Sequence, residues 1–210
     1  MKFSKITIIL RGYSLQEVDS VAQVLLTSKH IKNIEVTLNS PKALEIIAAL
    51  NTKYRDQLNI GAGTVLSLED LQAAIKAGAR FVLSPVTMSK EMIDYCLEHD
   101  VIAVPGAYSP SEIYQQHQLG AQIIKVFPAN ELSKTYAKKV IEPLGHINIM
   151  AVGGVNESNL LEHFAGGYSH IGSAGGIFNK SDILKQDIQA MSQSLAVFDN
   201  LLENLIDVNE

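Results

Sequence analysis

Short apolar runs alternate with longer amphipathic segments along the whole chain. The first run covers residues 6–10, and the segment after it carries apolar residues three or four positions apart, from Val18 to Leu25. A short apolar run bounded by polar residues is typical of a buried strand, and the wider spacing is typical of a helix. The pattern predicts strands at residues 6–10, 34–39, 58–61, 80–83, 101–104, 122–126, 147–152 and 170–171. It predicts helices at residues 14–25, 43–50, 68–77, 89–98, 109–120, 133–142, 156–164 and 181–206, the last of them interrupted.

Helix-capping residues support several of these boundaries. Ser14 with Glu17 three positions later forms a capping-box pattern, and Ser67 precedes the third helix, which Gly78 ends. Ser40 followed by Pro41 predicts a cap and a first-turn proline for the second helix.

Eight strand–helix pairs in 210 residues predict an α/β fold, a single (β/α)8 TIM barrel. The alternative is an open doubly wound sheet, but no G-x-G-x-x-G sequence follows the first strand. No linker or change in composition suggests a second domain, so residues 1–210 are expected to form one domain. Residues 181–210 are its C-terminal helical segment, which either packs back on the barrel or contacts another subunit.

Composition and charge narrow the functional classes. The chain is 47% hydrophobic and 19% charged with a net charge of -5, which is a globular composition without the basic surface that nucleic acid requires. The apolar run at residues 6–10 is too short for a signal sequence and ends at Arg11, and no stretch reaches membrane-spanning length. The single cysteine, Cys96, is interpreted as a small buried hydrophobe in a reducing compartment. We therefore expect a cytoplasmic protein with neither a membrane nor a nucleic-acid partner.

Lys125 lies inside the apolar run of the sixth predicted strand. On a strand, Ile123, Lys125 and Phe127 point to one side, and Ile124 and Val126 to the other. A buried lysine loses proton affinity, and its neutral amine is a nucleophile towards carbonyl groups. Lys125 is therefore a candidate Schiff-base former, although a lysine at a strand end with its amine in solvent would give the same sequence.

Glu35 is the candidate proton-transfer group, because carbon–carbon cleavage through an iminium needs an acid–base partner. It lies in the apolar second strand, where Glu35, Thr37 and Asn39 would share one face. The alternative is a glutamate that pairs with Lys125 or Arg11 for structural reasons alone.

Substrate-binding candidates follow the carboxyl ends of the predicted strands, where barrel enzymes have their active sites. We interpret residues 61–64 as a flexible turn whose glycines allow a ligand close to the backbone and whose Thr64 hydroxyl binds a carboxylate or keto oxygen. Gly153-Gly154 follows strand seven and Gly172-Ser173-Ala174-Gly175-Gly176 follows strand eight, where barrels often bind phosphate. Arg11 is the candidate cation for a carboxylate or a phosphate. The six histidines show no metal-ligand spacing, so neither a metal nor a cofactor is expected.

Six segments in order along the chain resemble the family of 2-keto-3-deoxy-6-phosphogluconate (KDPG) and 4-hydroxy-2-oxoglutarate (KHG) aldolases. They lie at residues 35–38, 61–66, 84–85, 104–106, 124–128 and 153–155. The resemblance implies a (β/α)8 barrel, a homotrimer and a metal-free class I aldolase acting on a phosphorylated keto acid.

The resemblance also implies roles for individual residues. Lys125 matches the Schiff-base lysine, Glu35 the acid–base residue and Thr64 a residue near the pyruvyl carboxylate. Gly153, Gly154 and Ser173 match the phosphate region. The predicted substrate-binding set is completed by Pro85, Phe127 and Gly172, which follow or end their strands.

Two positions depart from the gluconate-type enzymes of this family. Asn39 stands where these usually have arginine, and Val152 where they usually have threonine. Both changes, with Leu10-Arg11-Gly12, resemble the 2-dehydro-3-deoxy-6-phosphogalactonate branch. The expected reaction is cleavage of that compound to pyruvate and D-glyceraldehyde 3-phosphate. The gluconate epimer and 4-hydroxy-2-oxoglutarate remain alternative substrates. A non-catalytic phosphosugar-binding barrel and a barrel isomerase remain alternatives of other classes.

Overall fold

The computed structural model describes residues 3–207, which contain nine strands and nine α-helices. The strands are β1 (Ile6–Leu10), β2 (Asn33–Thr37), β3 (Asn59–Gly63), β4 (Phe81–Leu83), β5 (Ile102–Val104), β6 (Gly106–Ala107), β7 (Ile124–Val126), β8 (Ile149–Val152) and β9 (His170–Ser173). The helices are α1 (Leu15–Thr27), α2 (Ala43–Tyr54), α3 (Leu68–Lys76), α4 (Lys90–Glu98), α5 (Pro110–Gln118), α6 (Tyr136–Leu144), α7 (Leu160–Ala165), α8 (Lys180–Leu184) and α9 (Ile188–Asp207). A 3-10 helix covers Ala129–Glu131.

All paired strands are parallel, in the order β5-β4-β3-β2-β1-β9-β8-β7-β6. The two ends of this order, β5 and β6, are separated in the chain by Pro105 alone. They therefore represent one strand that a proline interrupts, since proline has no N–H to donate to a ladder. The Gly106 N–H donates instead to the carbonyl of Val86 beyond β4, at 2.9 Å. The sheet thus forms a nearly closed barrel, and the predicted (β/α)8 class is confirmed.

Alternating side chains divide the apolar residues into two layers. The inner layer fills the barrel with Ile9, Phe81, Leu83, Val104, Ile123, Met150 and Val152. The outer layer lies between strands and helices, and it includes Ile124 and Val126 of β7. Because successive strand residues point to opposite faces, Lys125 shares a side with Ile123, as predicted, and this side faces the barrel interior.

The capping box of α1 and the Ser67 cap of α3 are confirmed. The predicted Ser40 cap of α2 is wrong, because residues 40–43 form a turn closed by the Ala43 N–H and the Ser40 carbonyl at 3.3 Å. Lys42, with φ of 57°, is the N-cap residue.

Helices α2, α6 and α7 differ most from their predicted ranges. α2 continues past residue 50 to Tyr54. α6 begins and ends later than predicted, at Tyr136 and Leu144. α7 begins at Leu160 rather than 156, because Asn156 and Asn159 bind nearby backbone groups and hold residues 156–159 in turns.

Two strand predictions were wrong in ways that affect the site. Strand β2 ends at Thr37, since the Ser40 N–H donates to the Thr37 carbonyl at 2.9 Å and turns the chain. Asn39 therefore does not continue the face that carries Glu35. Strand β3 continues to Gly63, so residues 61–63, predicted as a turn, are a buried strand.

The C-terminal segment packs back on the barrel. Helices α8 and α9 correspond to the interrupted helix predicted from residue 181. Residues 208–210 of the predicted C-terminal segment and residues 1–2 of the predicted domain lie outside the described residues. Ser28 at the end of α1 donates from its hydroxyl to Asp199 of α9 at 2.6 Å. Among the helices of residues 3–207, none is both long enough and apolar enough to cross a bilayer.

Candidate active site

One cavity of about 870 Å³ opens at the carboxyl ends of β1, β7, β8 and β9. This volume lies within the range of small-molecule sites. The cavity contains ten of the twelve predicted site residues: Arg11, Glu35, Pro85, Lys125, Phe127, Val152, Gly153, Gly154, Gly172 and Ser173.

Lys125 is only 6% exposed and lies in the middle of β7. Its backbone N–H donates to the carbonyl of Pro105 at 2.8 Å, which fixes the strand. The ammonium nitrogen lies 5.1 Å from the centroid of the Phe127 ring. Burial, partly offset by Glu35 and reinforced by Arg11, lowers the pKa of Lys125 below its usual range. The side chain therefore releases its proton more easily than a surface lysine, as a nucleophilic amine must.

Glu35 is 1% exposed on β2. Its Oε2 atom has no hydrogen-bond partner within the described part of the chain. Burial raises the pKa of this carboxyl from 4.5 to about 7, although Lys125 and Arg11 both act to lower it. A carboxyl with a pKa near neutrality can both accept and donate a proton.

The glycines of β3 make room for side chains inside the barrel rather than for a ligand. A Cβ on Gly61 would lie 2.4 Å from the Phe81 ring, and one on Gly63 would lie 1.5 Å from Oε1 of Glu35. The interpretation of these glycines as a ligand-approach turn is therefore wrong.

The Gly153-Gly154 pair requires glycine for its backbone. Both residues have positive φ, 118° and 69°, which side chains disfavour. A Cβ on either would also lie within 3 Å of Asn130 in the 3-10 helix. The pair thus forms a tight wall of the cavity with exposed backbone edges.

The Ser173 hydroxyl, at the end of β9, forms hydrogen bonds with two different loops. It donates to the Val155 carbonyl at 3.4 Å and accepts from the Gly176 N–H at 3.1 Å. These bonds link the loop after β9 to the loop after β8, and both loops line the cavity. The loops offer glycine-rich backbone for an anionic group.

Val152 and Gly172 lie side by side on β8 and β9, where they are partners in register. A Cβ on Gly172 would lie 2.8 Å from Cγ2 of Val152. This wall of the cavity is consequently apolar. Arg11 follows β1, is exposed and lines the same cavity.

Asn39 and Thr64 do not line the cavity. Asn39 is exposed in the turn after β2. Thr64 directly follows β3 and has a positive φ of 57°, which is unusual for a branched residue.

The cavity also has a wall beyond the twelve predicted site residues. It consists of the loop residues 155–158 and 174–177 together with Gln193, Ser194 and Val197 of α9. The loops follow β8 and β9, where the sequence already predicted phosphate binding, so only their full extent was missed. The α9 residues carry no such signal, because they follow the last strand by some twenty positions. Within residues 3–207, no three His, Cys, Asp or Glu side chains form a group suited to a metal ion.

Comparisons with known proteins show what this chain is similar to. The family model described as KDPG and KHG aldolase matches residues 1–194. A 2-dehydro-3-deoxy-phosphogluconate aldolase of Treponema pallidum is 36% identical over 69% of this chain and 68% of its own length. A 2-dehydro-3-deoxy-6-phosphogalactonate aldolase of Escherichia coli K12 is 29% identical over 79% of this chain and 78% of its own.

A solved structure has the same fold. It is a KDPG aldolase from Legionella pneumophila with pyruvate captured as a covalent carbinolamine, and it superposes with a TM-score of 0.79. The two sequences are 24% identical, and the match covers 91% of this chain and 92% of that one. From the family match and the relatives, the chain belongs to the KDPG and KHG aldolase family of class I carbon–carbon lyases.

Proposed function

We propose that this protein cleaves 2-dehydro-3-deoxy-6-phosphogalactonate to pyruvate and D-glyceraldehyde 3-phosphate, with Lys125 as the Schiff-base residue and Glu35 as the acid–base residue. The observation that carries the proposal is the burial of both side chains in one cavity. Burial lowers the pKa of the amine, which favours its nucleophilic form, and raises that of the carboxyl to about 7, where it can exchange protons at neutral pH.

The reaction begins when the neutral Lys125 amine attacks the C2 keto carbon of the substrate. The resulting carbinolamine loses water and forms an iminium, which draws electrons from the C3–C4 bond. Glu35, as a carboxylate, accepts the proton of the C4 hydroxyl while that bond breaks, and the aldehyde leaves. The remaining enamine takes a proton at C3 from Glu35, and water then hydrolyses the iminium to release pyruvate and free Lys125.

The loops after β8 and β9 are proposed to hold the phosphate through backbone N–H groups at Gly153, Gly154 and Ser173. Their glycine-rich backbones and the bonds of the Ser173 hydroxyl within the loops support this division of roles. The Arg11 guanidinium lines the same cavity and supplies positive charge for either the carboxylate or the phosphate.

The galactonate epimer is preferred in this proposal because Val152 makes one wall of the cavity apolar. The two epimers differ only in configuration at C4. A residue at position 152 with or without a hydroxyl group therefore changes how strongly one epimer binds relative to the other. Asn39 does not line the cavity, so its proposed contribution is only that this position lacks the arginine of the gluconate-type enzymes. Thr64 does not line the cavity either, so its predicted contact with the substrate carboxylate would need the substrate to reach beyond the present lining. The gluconate epimer and 4-hydroxy-2-oxoglutarate are the second candidates, because relatives named for the gluconate compound are also similar to this chain.

We further propose a cytoplasmic homotrimer. Exposed apolar side chains follow neighbouring strands at the cavity end of the barrel, namely Leu66, Val86, Tyr108 and Phe127. A group of this kind on one face is typical of a subunit interface. Light scattering coupled to size-exclusion chromatography tests the trimer, and a monomeric mass would contradict it.

Pyruvate release from the two C4 epimers, measured side by side, tests the reaction. We expect faster turnover of the galactonate epimer, abolished by Lys125→Ala and unaffected by Lys139→Ala at an exposed position of α6. Val152→Thr should move the preference towards the gluconate epimer. Equal turnover of both epimers would contradict the assigned substrate, and no turnover of either would favour a phosphosugar-binding protein.

A further inference from the structure

Gly63 lies at the end of β3, beside the carboxyl of Glu35. Its partner in register on β2 is Thr37, two residues beyond Glu35, so the glutamate side chain leans along the strand to reach it. A Cβ on Gly63 would lie 1.5 Å from Oε1, 2.3 Å from Cδ and 2.7 Å from Cγ of Glu35. Any side chain at position 63 is therefore incompatible with the observed place of this carboxyl.

We propose that Gly63 is a positioning residue, whose lack of a side chain fixes the Glu35 carboxyl where it can exchange protons with the substrate. The inference rests on the proposed function for the role of Glu35. Backbone conformation gives no other reason for glycine here, because Gly63 is not among the residues with positive φ. The three heavy atoms nearest to the added Cβ all belong to Glu35.

The Glu35 carboxyl, rather than the strand, should yield to an added methyl group. It is the far end of a side chain with three rotatable bonds, whereas β3 is held by pairing with β2 and β4. A displaced carboxyl no longer meets the C4 hydroxyl in the geometry that proton transfer requires. Misplacement by about 1 Å costs on the order of 100-fold in rate, so we expect Gly63→Ala to lower kcat ~10- to 100-fold.

Schiff-base formation should survive this change, because Lys125 lies on β7 and takes no part in the clash. Borohydride trapping of pyruvate on Gly63→Ala should therefore approach the parent level while kcat falls. The pH profile of kcat should also shift, since the pKa of Glu35 is set by its burial and by its neighbours Lys125 and Arg11. A purely structural role would not separate trapping from turnover in this way.

Gly61→Ala is the matched control. Gly61 lies on the same strand and the same face, but its added Cβ meets the Phe81 ring at 2.4 Å instead of a carboxyl. We expect Gly61→Ala to lower the stability of the protein and to leave kcat per folded chain and its pH profile unchanged. The same loss of kcat and the same shift in both variants would overturn the proposal.

The double variant Gly63→Ala/Glu35→Asp should recover part of the lost kcat, because aspartate lacks the two atoms nearest to the added Cβ, Oε1 at 1.5 Å and Cδ at 2.3 Å, and retains only the contact at the Cγ position, at 2.7 Å. It is compared with Glu35→Asp alone. No recovery, or parental kcat in Gly63→Ala itself, would overturn the positioning role. Parental kcat in Glu35→Gln would instead remove the proposed acid–base function, so the two failures are distinguishable.

A stability measurement covers the case in which Gly63→Ala folds poorly. In a Glu35→Ala background the clashing atoms are absent, so adding Gly63→Ala should change the urea midpoint little. In the parent background, Gly63→Ala should lower the urea midpoint of unfolding. An equal decrease in both backgrounds would show that Gly63 acts through something other than Glu35.

Discussion

Glu35→Gln should make the protein more stable at neutral and alkaline pH while removing its activity. The substitution keeps the shape of the side chain and removes its charge. Burial holds the pKa of the carboxyl at about 7 in the folded chain, against 4.5 when it is exposed. Each pKa unit corresponds to about 1.4 kcal/mol, so ionised Glu35 destabilises the folded state by about 3 kcal/mol relative to its protonated form.

The sign of the pH dependence follows from the raised pKa. Below pH 4.5 the carboxyl is protonated in both folded and unfolded chains, and its contribution to stability is fully present. Between pH 4.5 and about 7 the unfolded chain ionises first, so stability is lost as the pH rises. Above pH 7 both states are ionised and the loss is complete. The advantage of Glu35→Gln should therefore grow across this window and then level off.

Urea unfolding at pH 5, 6, 7 and 8 measures the effect, followed by far-UV circular dichroism because the chain has no tryptophan. All curves are taken at one protein concentration, so that association does not enter the comparison. Glu98→Gln, at an exposed position at the end of α4, is the control and should leave the pH dependence unchanged. Parallel parent and Glu35→Gln curves across this range would refute the reasoning.

A Lys125→Met background sharpens the same test. The Lys125 ammonium lowers the pKa of Glu35, so its removal should raise that pKa above about 7. The window in which stability is lost then extends to higher pH. A window that stays in place would mean that the two side chains do not interact.

Two further predictions concern a buried and a half-buried group outside the site. Burial raises the pKa of the Cys96 thiol to about 12. A thiol reagent at pH 8 should therefore leave the native protein unlabelled and label the urea-unfolded protein fully. Rapid labelling of the native protein would contradict the packing of α4. Burial, helped by Lys5, lowers the pKa of His170 from 6.5 to about 4, so its contribution to stability is present above pH 6.5 and is lost as the pH falls towards 4. Between these pH values the free energy of unfolding of His170→Gln, measured in urea, should therefore fall by about 1–3 kcal/mol less than that of the parent. An equal fall in both proteins would contradict this prediction.

The sequence predicted most where local pattern and packing agree. Strand β1 begins and ends at the predicted residues, and the capping box of Ser14 with Glu17 forms as expected. Strand alternation also placed Lys125 on the same side as Ile123, while the barrel was needed to show that this side faces inwards. These features depend on a few residues close together in the chain, so the local sequence is sufficient to predict them.

Features that depend on contacts between strands were not predictable. The glycines of β3 look like a turn in the sequence, and only the register with β2 and β4 shows that Glu35 and Phe81 fill the space beside them. Asn39 was assigned to the face of Glu35 because nothing in the sequence marked Thr37 as the end of the strand. The α9 wall of the cavity likewise depends on where the last helix packs.

The most direct test of the central claim is borohydride reduction in the presence of pyruvate, followed by peptide mass spectrometry. If Lys125 forms the iminium, the parent should carry a reduced pyruvate adduct on the peptide that contains Lys125. Lys125→Ala should carry none, and Lys139→Ala should react like the parent. An adduct on another lysine, or its persistence in Lys125→Ala, would contradict the assignment of Lys125 as the catalytic amine.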